Sequence, residues 1–372
     1  MSTMRIVFVS TGSPRDMGTN YRVLGLARHA KELGLEVHVL LPGRPENLQW
    51  LPEGHYCGVP IHFTACGALE EMREKYKLLC SLRPDFVHCV DVVGRCFLPS
   101  VAYRLSHRCQ LIVDIDEHLS RIMMFGFTER MYFRICENLA KRYADRLVVA
   151  SRFLESWFGQ PPRQPILYLP NAVDLDFFEQ QRLGWEELKL KWGGRKVAMY
   201  FGNLSSHYDA DMVFEAALIL LRRRKDLVFV FVGGGEMLGT LRGKAIEAGL
   251  EESIQFCGFV PDEAVPKYLS AADALVFPIR DNWWNRARCP GKVYYFTAAM
   301  APIVTNPVGE VREALGNRAW YFRDGDTDDF LRVLEQCLAA GRDARCPDQT
   351  MANLHCWRKR AQSYLRFLET AA

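Results

Sequence analysis

The sequence predicts an α/β protein made of two similar domains, each a parallel sheet covered by helices on both faces. Short apolar runs, such as 4–10 and 35–41, alternate with amphipathic helical segments, which is the pattern of a doubly wound sheet. The same alternation starts again with the run 196–201. The length of 372 residues also favours two domains, because a single hydrophobic core rarely grows so large.

Composition narrows the class of protein. Hydrophobic residues make up 49% and charged residues 24%, as in globular proteins, and a net charge of +3 is too small to imply nucleic-acid binding. The twelve cysteines are scattered, without the paired spacing of a zinc site, which is typical of a reducing compartment. The N-terminus has the pattern of a first strand rather than a signal peptide. We therefore expect a cytoplasmic protein, with contact to the cytosolic face of a membrane left open.

The first strand is followed by a loop, 11–19, that contains Gly12, Gly18 and Thr19. The glycines are spaced too widely for a dinucleotide fingerprint, and Pro42 stands where such enzymes need an acidic residue. This disfavours a nicotinamide cofactor. Two interpretations remain: the loop aims its amides at an anion, or the glycines only form a turn. The next segment, 43–67, has no clear periodic pattern.

Acidic side chains follow the predicted strand 110–115. This strand runs into Asp116, Glu117 and His118, and the carboxyl ends of parallel strands are where such sheets bind and transform ligands. A carboxylate or an imidazole there can hold or deprotonate a hydroxyl group. The alternative is that one of these residues, Glu117 above all, caps the following helix.

The segment 119–146 mixes methionines and aromatic residues with Arg121, Arg130, Arg134 and Lys141. One interpretation is a basic amphipathic face that lies on anionic lipid. The more common explanation of such a pattern is a helix that packs its apolar side on the core and exposes its arginines to solvent.

A further cationic segment lies in the second half of the chain. The run 274–277 predicts a buried strand, 280–288 a loop with Arg280, Arg286 and Arg288, and a helix begins near Lys292. Several cations beside a helix N-terminus favour an anion such as a phosphate. The alternative is a surface loop whose arginines pair with nearby carboxylates.

With these residues placed, nearly the whole chain resembles a GT-B glycosyltransferase, most closely glycosyltransferase family 4. The helix after Pro290 resembles the family pattern K-x-x-E-Y-x-A-x-G-x-P-V-V. The other matching segments are PDFVHCVD at 84–91, ADRLVVAS at 144–151, LPNAVDLDFF at 169–178 and the glycine-rich core 231–278. The resemblance implies two Rossmann-like domains that face each other across a cleft. These would be an acceptor-side domain, 1–172, a donor domain, 173–352, and a C-terminal helix, 353–372, that crosses back onto the first domain.

The resemblance also implies chemistry. A nucleotide-sugar donor would be held by the second domain and a hydroxyl acceptor by the first, without a cofactor or metal and with retention of anomeric configuration. Lys292 would bind the donor phosphate, Gly18 and Thr19 would border the donor, and Phe259 and Val260 would line the base pocket. Gly233 would approach the ligand closely, although a turn is the more common reason for such a glycine.

On the acceptor side, Asp116 occupies a position that often carries a histidine in the family. The resemblance makes Asp116 and Lys292 the catalytic candidates, and Asp116, Glu117 and His118 the candidates for acceptor binding.

The chain departs from the family at the donor site. The paired family glutamates fall on Ala287 and Tyr295, and a tyrosine could still form one hydrogen bond to the ribose. A family arginine falls on Asn203 and a lysine near His207. We expect Arg280, Arg286 or Arg288 to restore the lost charge. The predicted donor-binding residues are therefore Gly18, Thr19, Asn203, His207, Gly233, Phe259, Val260, Arg286, Arg288, Lys292 and Tyr295.

Three functions are compatible with these residues. The first is an active sugar transferase. The second is a catalytically degenerate GT-B protein that only binds a ligand, which the changes at Ala287, Tyr295 and Asn203 favour. The third is a sugar-nucleotide epimerase. The donor base, the sugar, the acceptor and the oligomeric state are open at this point.

Overall fold

A computed structural model describes residues 3–11, 18–122, 125–158, 164–342 and 344–370. The chain divides into two compact units. Unit 1 comprises Met1–Ala172, Arg286–Gly291 and Cys356–Ala372, and unit 2 comprises Val173–Asn285 and Lys292–His355. The short segment of unit 1 that interrupts unit 2 was not predicted.

The strands alternate with helices along almost the whole chain, as the sequence predicts. The strands are β1 (Arg5–Val9), β2 (Glu36–Pro42), β3 (His55–Tyr56), β4 (Val59–Thr64), β5 (Phe86–Val90), β6 (Gln110–Ile115), β7 (Arg146–Val149), β8 (Ile166–Tyr168), β9 (Lys196–Phe201), β10 (Leu227–Val232), β11 (Ile254–Gly258), β12 (Ala274–Phe277), β13 (Ile303–Thr305) and β14 (Trp320–Tyr321).

The helices of unit 1 near the N-terminus are α1 (Gly18–Glu32), α2 (Pro45–Trp50), α3 (Ala68–Leu82), α4 (Gly94–Ser106), a 3-10 helix (Leu119–Arg121), α5 (Phe127–Tyr143) and α6 (Arg152–Phe158). Those of unit 2 are α7 (Leu175–Gln181), α8 (Trp185–Leu190), a 3-10 helix (Ser206–Tyr208), α9 (Ala210–Leu221), α10 (Leu238–Glu247), α11 (Val265–Ala271), α12 (Trp283–Ala287), α13 (Lys292–Ala299), α14 (Glu310–Leu315), α15 (Thr327–Ala340) and α16 (Gln349–Leu354). The last two residues of α12 fall in unit 1. The last helix, α17 (Trp357–Glu369), belongs to unit 1.

Unit 1 contains an eight-stranded sheet in the order β3-β4-β2-β1-β5-β6-β7-β8. Its neighbouring strands are parallel except for the short β3–β4 pair. The chain adds strands on one side of β1 and then returns to its other side with β5. The carboxyl ends of β1 and β5 therefore form the topological switch point, where doubly wound sheets bind their ligands.

The C-terminal helix packs on helix α1 within unit 1. A Cβ atom on Gly25 of α1 would overlap the indole ring of Trp357, so the contact needs a glycine. Farther along α17, the buried Tyr364 hydroxyl is 2.7 Å from His88 Nδ1 on β5. The predicted return of the C-terminal helix to the N-terminal part of the chain is confirmed.

Unit 2 contains a six-stranded sheet in the order β11-β10-β9-β12-β13-β14, and all its neighbouring strands are parallel. Its strands are apolar on both faces because helices cover both sides, as in β10, where all six residues are buried. The strand order reverses between β9 and β12, which makes their carboxyl ends the switch point of this unit.

Two local predictions were wrong, and one segment without a clear pattern contains regular structure. The segment 280–288 is not only a loop, because it contains α12, whose start is capped by Asn282 Oδ1 accepting the Asn285 N–H at 2.9 Å. The segment 43–67 contains α2 and β4, and Pro60 interrupts the apolar run that would have revealed β4. The tail is two helices rather than one, since the helical pattern breaks at His355 and Cys356.

Candidate functional site

Lys292 lies at the switch point of unit 2. It is the first residue of α13 and is half-buried. Its Nζ atom is 5.3 Å from the ring centroid of Tyr208 and 5.7 Å from that of Phe277, the last residue of β12. An ammonium group is thus held at the edge of the sheet where parallel α/β domains bind ligands, next to the amides of a helix N-terminus.

Two glycines make room at this position. A Cβ atom on Gly202, the residue after β9, would overlap Lys292 Nζ and would lie 3.2 Å from its Cε. A Cβ atom on Gly233, the residue after β10, would overlap the carbonyl oxygen of Gly202, and its φ of +130° is unfavourable for other residues. The loops after β9 and β10 can therefore approach each other and the ammonium group.

Backbone hydrogen bonds join these loops into one platform. The Leu204 N–H donates to Gly234 O at 2.8 Å, and the Gly233 N–H donates to Gly258 O at 2.8 Å. Phe259, directly after β11, is 86% exposed, and its ring lies against Gly234. An exposed aromatic face next to this hydrogen-bonded platform suits the stacking of a planar ring such as a nucleobase.

Arg280 lies among protein carboxylates. Its Nε and Nη2 atoms lie 2.7 and 2.6 Å from Oδ1 of the buried Asp209. A second carboxylate, that of Asp324, is 3.9 Å away. This guanidinium is therefore ion-paired with protein carboxylates, as the alternative interpretation of the segment expects, and a role of Arg280 in donor binding stays a prediction.

The other predicted residues of unit 2 occupy varied positions. Asn203 and His207 are exposed in the segment after β9, and Val260 is half-buried after Phe259. Tyr295 lies one turn after Lys292 on α13, with its ring centroid 6.2 Å from that of Phe178. Their roles in donor binding stay predictions.

Arg286 lies in the last turn of α12 and Arg288 in the loop before α13, and both belong to the segment of unit 1 that interrupts unit 2. Arg286 is exposed and Arg288 half-buried. Between them, Ala287 is fully buried, and its carbonyl accepts a hydrogen bond from Ser151 Oγ at 2.5 Å. A small, buried side chain thus stands where the family has its first glutamate. The roles of Arg286 and Arg288 in donor binding stay predictions.

Unit 1 has a buried network of charges centred on Asp114 in β6. Arg22 of α1 donates to both carboxylate oxygens, at 2.8 and 3.0 Å, and His88 Nε2 is 3.2 Å from Oδ2. Burial would raise the pKa of Asp114, but Arg22 and His88 outweigh it and hold that pKa below its usual range. Arg22 also donates to Asn171 Oδ1 at 3.3 Å. The guanidinium group thus makes three hydrogen bonds to protein oxygens although its side chain is fully buried.

Asp91 is a site residue that the sequence reasoning missed. It directly follows β5 at the switch point of unit 1, is 5% exposed, and adopts a φ of +58°. Its Oδ1 is buried and accepts no hydrogen bond from the described residues. Burial, followed by the charges of Asp116 and Glu117, raises the pKa of Asp91 well above its ordinary value. The signal in the sequence was an acidic residue directly after the predicted strand 85–90, the same kind of position that drew attention to Asp116.

We expect Asp91→Asn to flatten the pH dependence of stability. Because folding raises the pKa of Asp91, its contribution to stability is fully present below the unfolded pKa of about 3.9 and is lost as pH rises through the folded pKa. The asparagine side chain does not ionise, so the variant does not lose stability in this way. Its apparent Tm should therefore fall less between pH 5 and pH 8 than that of the wild type. Thermal unfolding followed by circular dichroism measures this.

The matched control is Asp328→Asn, which removes an exposed carboxylate from α15 and should leave the pH profile unchanged. Parallel profiles for Asp91→Asn and the wild type would contradict the assignment of a buried, proton-holding carboxyl group.

The remaining predicted residues lie along the edge of unit 1. Asp116 is buried and Glu117 half-buried just after β6. His118 Nε2 is 3.5 Å from Glu137 Oε2 of α5, and its ring is 5.0 Å from that of Trp157 in α6. The acceptor roles of these three residues stay predictions.

The predicted donor loop of unit 1 is only partly described. Gly18 and Thr19 contribute their backbone to the start of α1, while Gly12 lies outside the described residues. Their proposed contact with the donor stays a prediction.

Two parallel α/β sheets, each with its own switch point, and a C-terminal helix that returns to unit 1 define a GT-B protein. Solved structures agree over nearly the full length. The Anabaena protein HepE in complex with UDP and glucose gives a TM-score of 0.76 at 15% identity, covering 98% of this chain and 99% of that one. Sucrose-phosphate synthase from Thermosynechococcus elongatus gives 0.78 at 15% identity, with 99% and 100% covered. At these identities the likeness concerns the fold.

The family follows from the sequence comparisons. Residues 195–340 match the model "Glycosyl transferases group 1", and residues 17–172 match the "Glycosyl transferase 4-like domain". The chain belongs to the group 1, glycosyltransferase 4-like family of glycosyltransferases, which confirms the resemblance inferred from its motifs.

Curated relatives match over shorter stretches. A GDP-mannose-dependent alpha-(1-6)-phosphatidylinositol monomannoside mannosyltransferase from Mycobacterium tuberculosis is 31% identical over 132 residues, which is 35% of this chain and 34% of the relative. Alpha-D-kanosaminyltransferase from Streptomyces kanamyceticus is 29% identical over 208 residues, 52% of each chain. The chain thus spans about a third to a half of the length of these relatives.

Proposed function

We propose that the protein transfers a sugar from a nucleotide-diphosphate sugar to a hydroxyl acceptor, with retention of anomeric configuration and without a metal ion. The observation that carries this proposal is the Lys292 ammonium group at the switch point of unit 2, in the space left by Gly202. A fixed cation beside a helix N-terminus stabilises the negative charge that develops on a departing diphosphate.

The surroundings of Lys292 support a nucleotide donor. The amides at the start of α13 can add hydrogen bonds to the diphosphate, and the loops after β9 and β10 can approach it because they carry Gly202 and Gly233. The exposed ring of Phe259 offers a stacking face for the base. Among the described residues, no group of three or more His, Cys, Asp or Glu side chains is placed to hold a metal ion.

Unit 1 offers carboxyl groups for the acceptor hydroxyl. Asp91 and Asp116 follow the adjacent strands β5 and β6, and the charge of Asp116 adds to the effect of burial in raising the pKa of the Asp91 carboxyl group. A carboxyl group with a raised pKa can hold a proton near neutral pH, while a neighbouring carboxylate accepts a hydrogen bond from the hydroxyl. We propose that this pair orients the acceptor and takes up its proton.

The test is transfer by the purified full-length protein. UDP-, GDP- and ADP-sugars are incubated with glycoside and glycolipid acceptors, nucleoside diphosphate release is measured, and NMR gives the anomeric configuration of the product. We expect release that depends on the acceptor, retention, and no effect of EDTA. Isomerised nucleotide sugar without an acceptor would favour an epimerase, and nucleotide binding without turnover would favour a degenerate binding protein.

Within the described ranges, no helix combines the length and the apolar character needed to cross a membrane. We propose a cytoplasmic location on other grounds, namely the scattered cysteines, which match a reducing compartment. Fractionation of cells that express the chain would test this, and recovery of the protein with an oxidising compartment would contradict it.

We expect Gly202→Ala to weaken binding of a nucleoside diphosphate by about tenfold to a hundredfold, the usual range for losing one charge-assisted hydrogen bond. The added Cβ would occupy the place of the Lys292 ammonium group and displace the flexible end of that side chain. Isothermal titration with UDP, GDP and ADP measures the change.

Gly239→Ala in α10 is the control, because a Cβ atom there meets no atom within 4 Å. If Gly202→Ala acts through Lys292, it should have no further effect on affinity in a Lys292→Ala background. An unchanged affinity in the single Gly202→Ala variant would show that the ammonium group does not contact the diphosphate.

A further inference from the structure

A cavity of about 370 Å³ opens beside helix α5 in unit 1. We call it the α5 pocket. Its walls come from α5, the 3-10 helix Leu119–Arg121, and the end of α6. It is thus a feature of unit 1 alone, and none of the donor-binding residues of unit 2 lines it.

One wall of the α5 pocket is cationic. Arg130, Arg134 and Lys141 are spaced by four and seven residues along α5, which brings them to one face of the helix, and Arg121 adds a fourth cation. In the part of the chain that the structure describes, no acidic side chain pairs with Arg130 or Arg134, and both are exposed. Like charges four residues apart destabilise a helix slightly, and a bound anion would remove that cost.

The single acidic residue in the lining does not neutralise this wall. Glu137 is buried, and its carboxylate accepts hydrogen bonds from the Ser120 amide at 3.0 Å and the Ser120 hydroxyl at 2.6 Å. His118 Nε2 lies 3.5 Å from the same carboxylate. The carboxylate is thus committed to the 3-10 helix and its neighbour, and the pocket keeps an excess of positive charge.

The other wall is apolar and continues onto the protein surface. Phe127 is 72% exposed, Met131 42% and Ile135 52%, and their spacing of four residues forms a stripe along α5. Trp157 borders the pocket from α6, with Arg121 5.7 Å from its ring centroid. The core side of α5 carries other residues, Cys136 and Ala140 among them. The outward stripe therefore disagrees with a helix that only packs its apolar side on the core.

We propose that the α5 pocket binds the phosphate group of an amphiphilic ligand, an anionic phospholipid headgroup. Arginine side chains match the geometry and charge of phosphate oxygens, and Arg130 and Arg134 are placed to share one such group. The hydrocarbon part of the ligand would lie along Phe127, Met131 and Ile135, as in helices that rest at a membrane interface. This inference concerns binding at a separate pocket of unit 1. It can therefore be tested without measuring sugar transfer.

The experiment measures partitioning of the full-length protein onto vesicles by co-sedimentation. We compare pure phosphatidylcholine with a mixture that contains phosphatidylglycerol. We expect binding to the anionic vesicles, and the double variant R130Q/R134Q should weaken it by about twenty- to thirtyfold, since each basic residue near an anionic surface contributes about 1 kcal/mol.

The matched control is R222Q/R223Q, which removes two exposed arginines from the end of α9 in unit 2 and changes the net charge equally. A second arm titrates inorganic phosphate and glycerol 3-phosphate, detected by NMR. One outcome is that the protein binds glycerol 3-phosphate but not vesicles, and that R130Q/R134Q abolishes this binding. The site would then bind the phosphate of a soluble ligand, and the phospholipid headgroup would be ruled out.

Two results would overturn the proposal. The first is no binding in either arm. The second is an equal loss of vesicle binding in R130Q/R134Q and R222Q/R223Q, which would show that only net charge matters. Circular dichroism confirms that both double variants fold, and neither pair has been placed in the transfer machinery, so a failure here is distinguishable from a failure of the proposed activity.

Discussion

Replacing Lys292 by alanine should lower kcat/KM for sugar transfer by about a hundredfold to a thousandfold, the usual cost of removing one fixed group that stabilises developing negative charge. The Nζ atom lies 5.3 Å from the ring centroid of Tyr208 and 5.7 Å from that of Phe277, in the space that a Cβ atom on Gly202 would fill. Because this setting holds it in place before any ligand binds, little reorganisation is needed when charge develops on the diphosphate.

The effect should fall mainly on kcat. Charge on the leaving diphosphate grows as the bond to the sugar breaks, so the interaction is stronger in the transition state than with the intact donor. Steady-state kinetics with the donor identified by the nucleotide-sugar panel separates kcat from KM. The variant should keep its Tm, since a half-buried lysine at the start of α13 contributes little to the core.

Lys244→Ala is a suitable control, because it removes an exposed ammonium group from α10 of the same unit. It should change kcat/KM by less than about twofold, as expected for a surface charge. If Lys292→Ala retained wild-type kcat while donor affinity was also unchanged, the cation would have no part in the reaction, and the proposed function would lose the observation that carries it.

The location of Lys292 could be predicted from sequence because the relevant signals are local. A buried strand, a cationic segment and a helix start follow one another within 271–310, and the parallel-sheet pattern places the ends of such strands on one edge. Arg280 shows the limit of this reasoning. Its charge was readable from the sequence, but its partner Asp209 lies 71 residues away, so the pairing depends on the tertiary fold.

Met300 shows a different limit. It stands where the family pattern K-x-x-E-Y-x-A-x-G-x-P has glycine, and its φ of +49° is in the left-handed region that glycine adopts most easily. The sequence shows that methionine replaces glycine here. It does not show that the backbone at this position has a positive φ, which is unfavourable for methionine. Here the structure supplies the reason for the family glycine: the turn between α13 and β13 needs a positive φ.

The buried network of unit 1 could not be predicted for the same reason as the Arg280 pair. Arg22 and Asp114 are separated by 92 residues, and His88 and Tyr364 by 276. In the sequence, Asp114 is one of several acidic residues near a strand end, and nothing local distinguishes it from Asp116. Only the packing of α1 and α17 against the sheet shows that Asp114 is a structural partner of Arg22.

This distinction leads to a large expected effect on stability. Asp114→Asn should destabilise unit 1 by about 3–5 kcal/mol, because Arg22 would keep its charge in a fully buried position without the carboxylate that it hydrogen-bonds. For a domain of this size the apparent Tm should fall by about 6–20 °C. Asp91→Asn, a substitution of the same chemistry at the neighbouring strand end, should not lower the Tm at neutral pH, because Asp91 has no cationic hydrogen-bond partner among the described residues.

A double variant separates loss of the ion pair from general disruption of the core. Arg22→Met combined with Asp114→Leu removes both charges and keeps apolar volume, so it should recover much of the stability lost in Asp114→Asn. Thermal and urea unfolding, followed by circular dichroism and tryptophan fluorescence, measure the series. Equal stabilities for Asp114→Asn and Asp91→Asn would mean that the Arg22 charge is not isolated from solvent, and that Asp114 has no special structural role among the strand-end carboxylates.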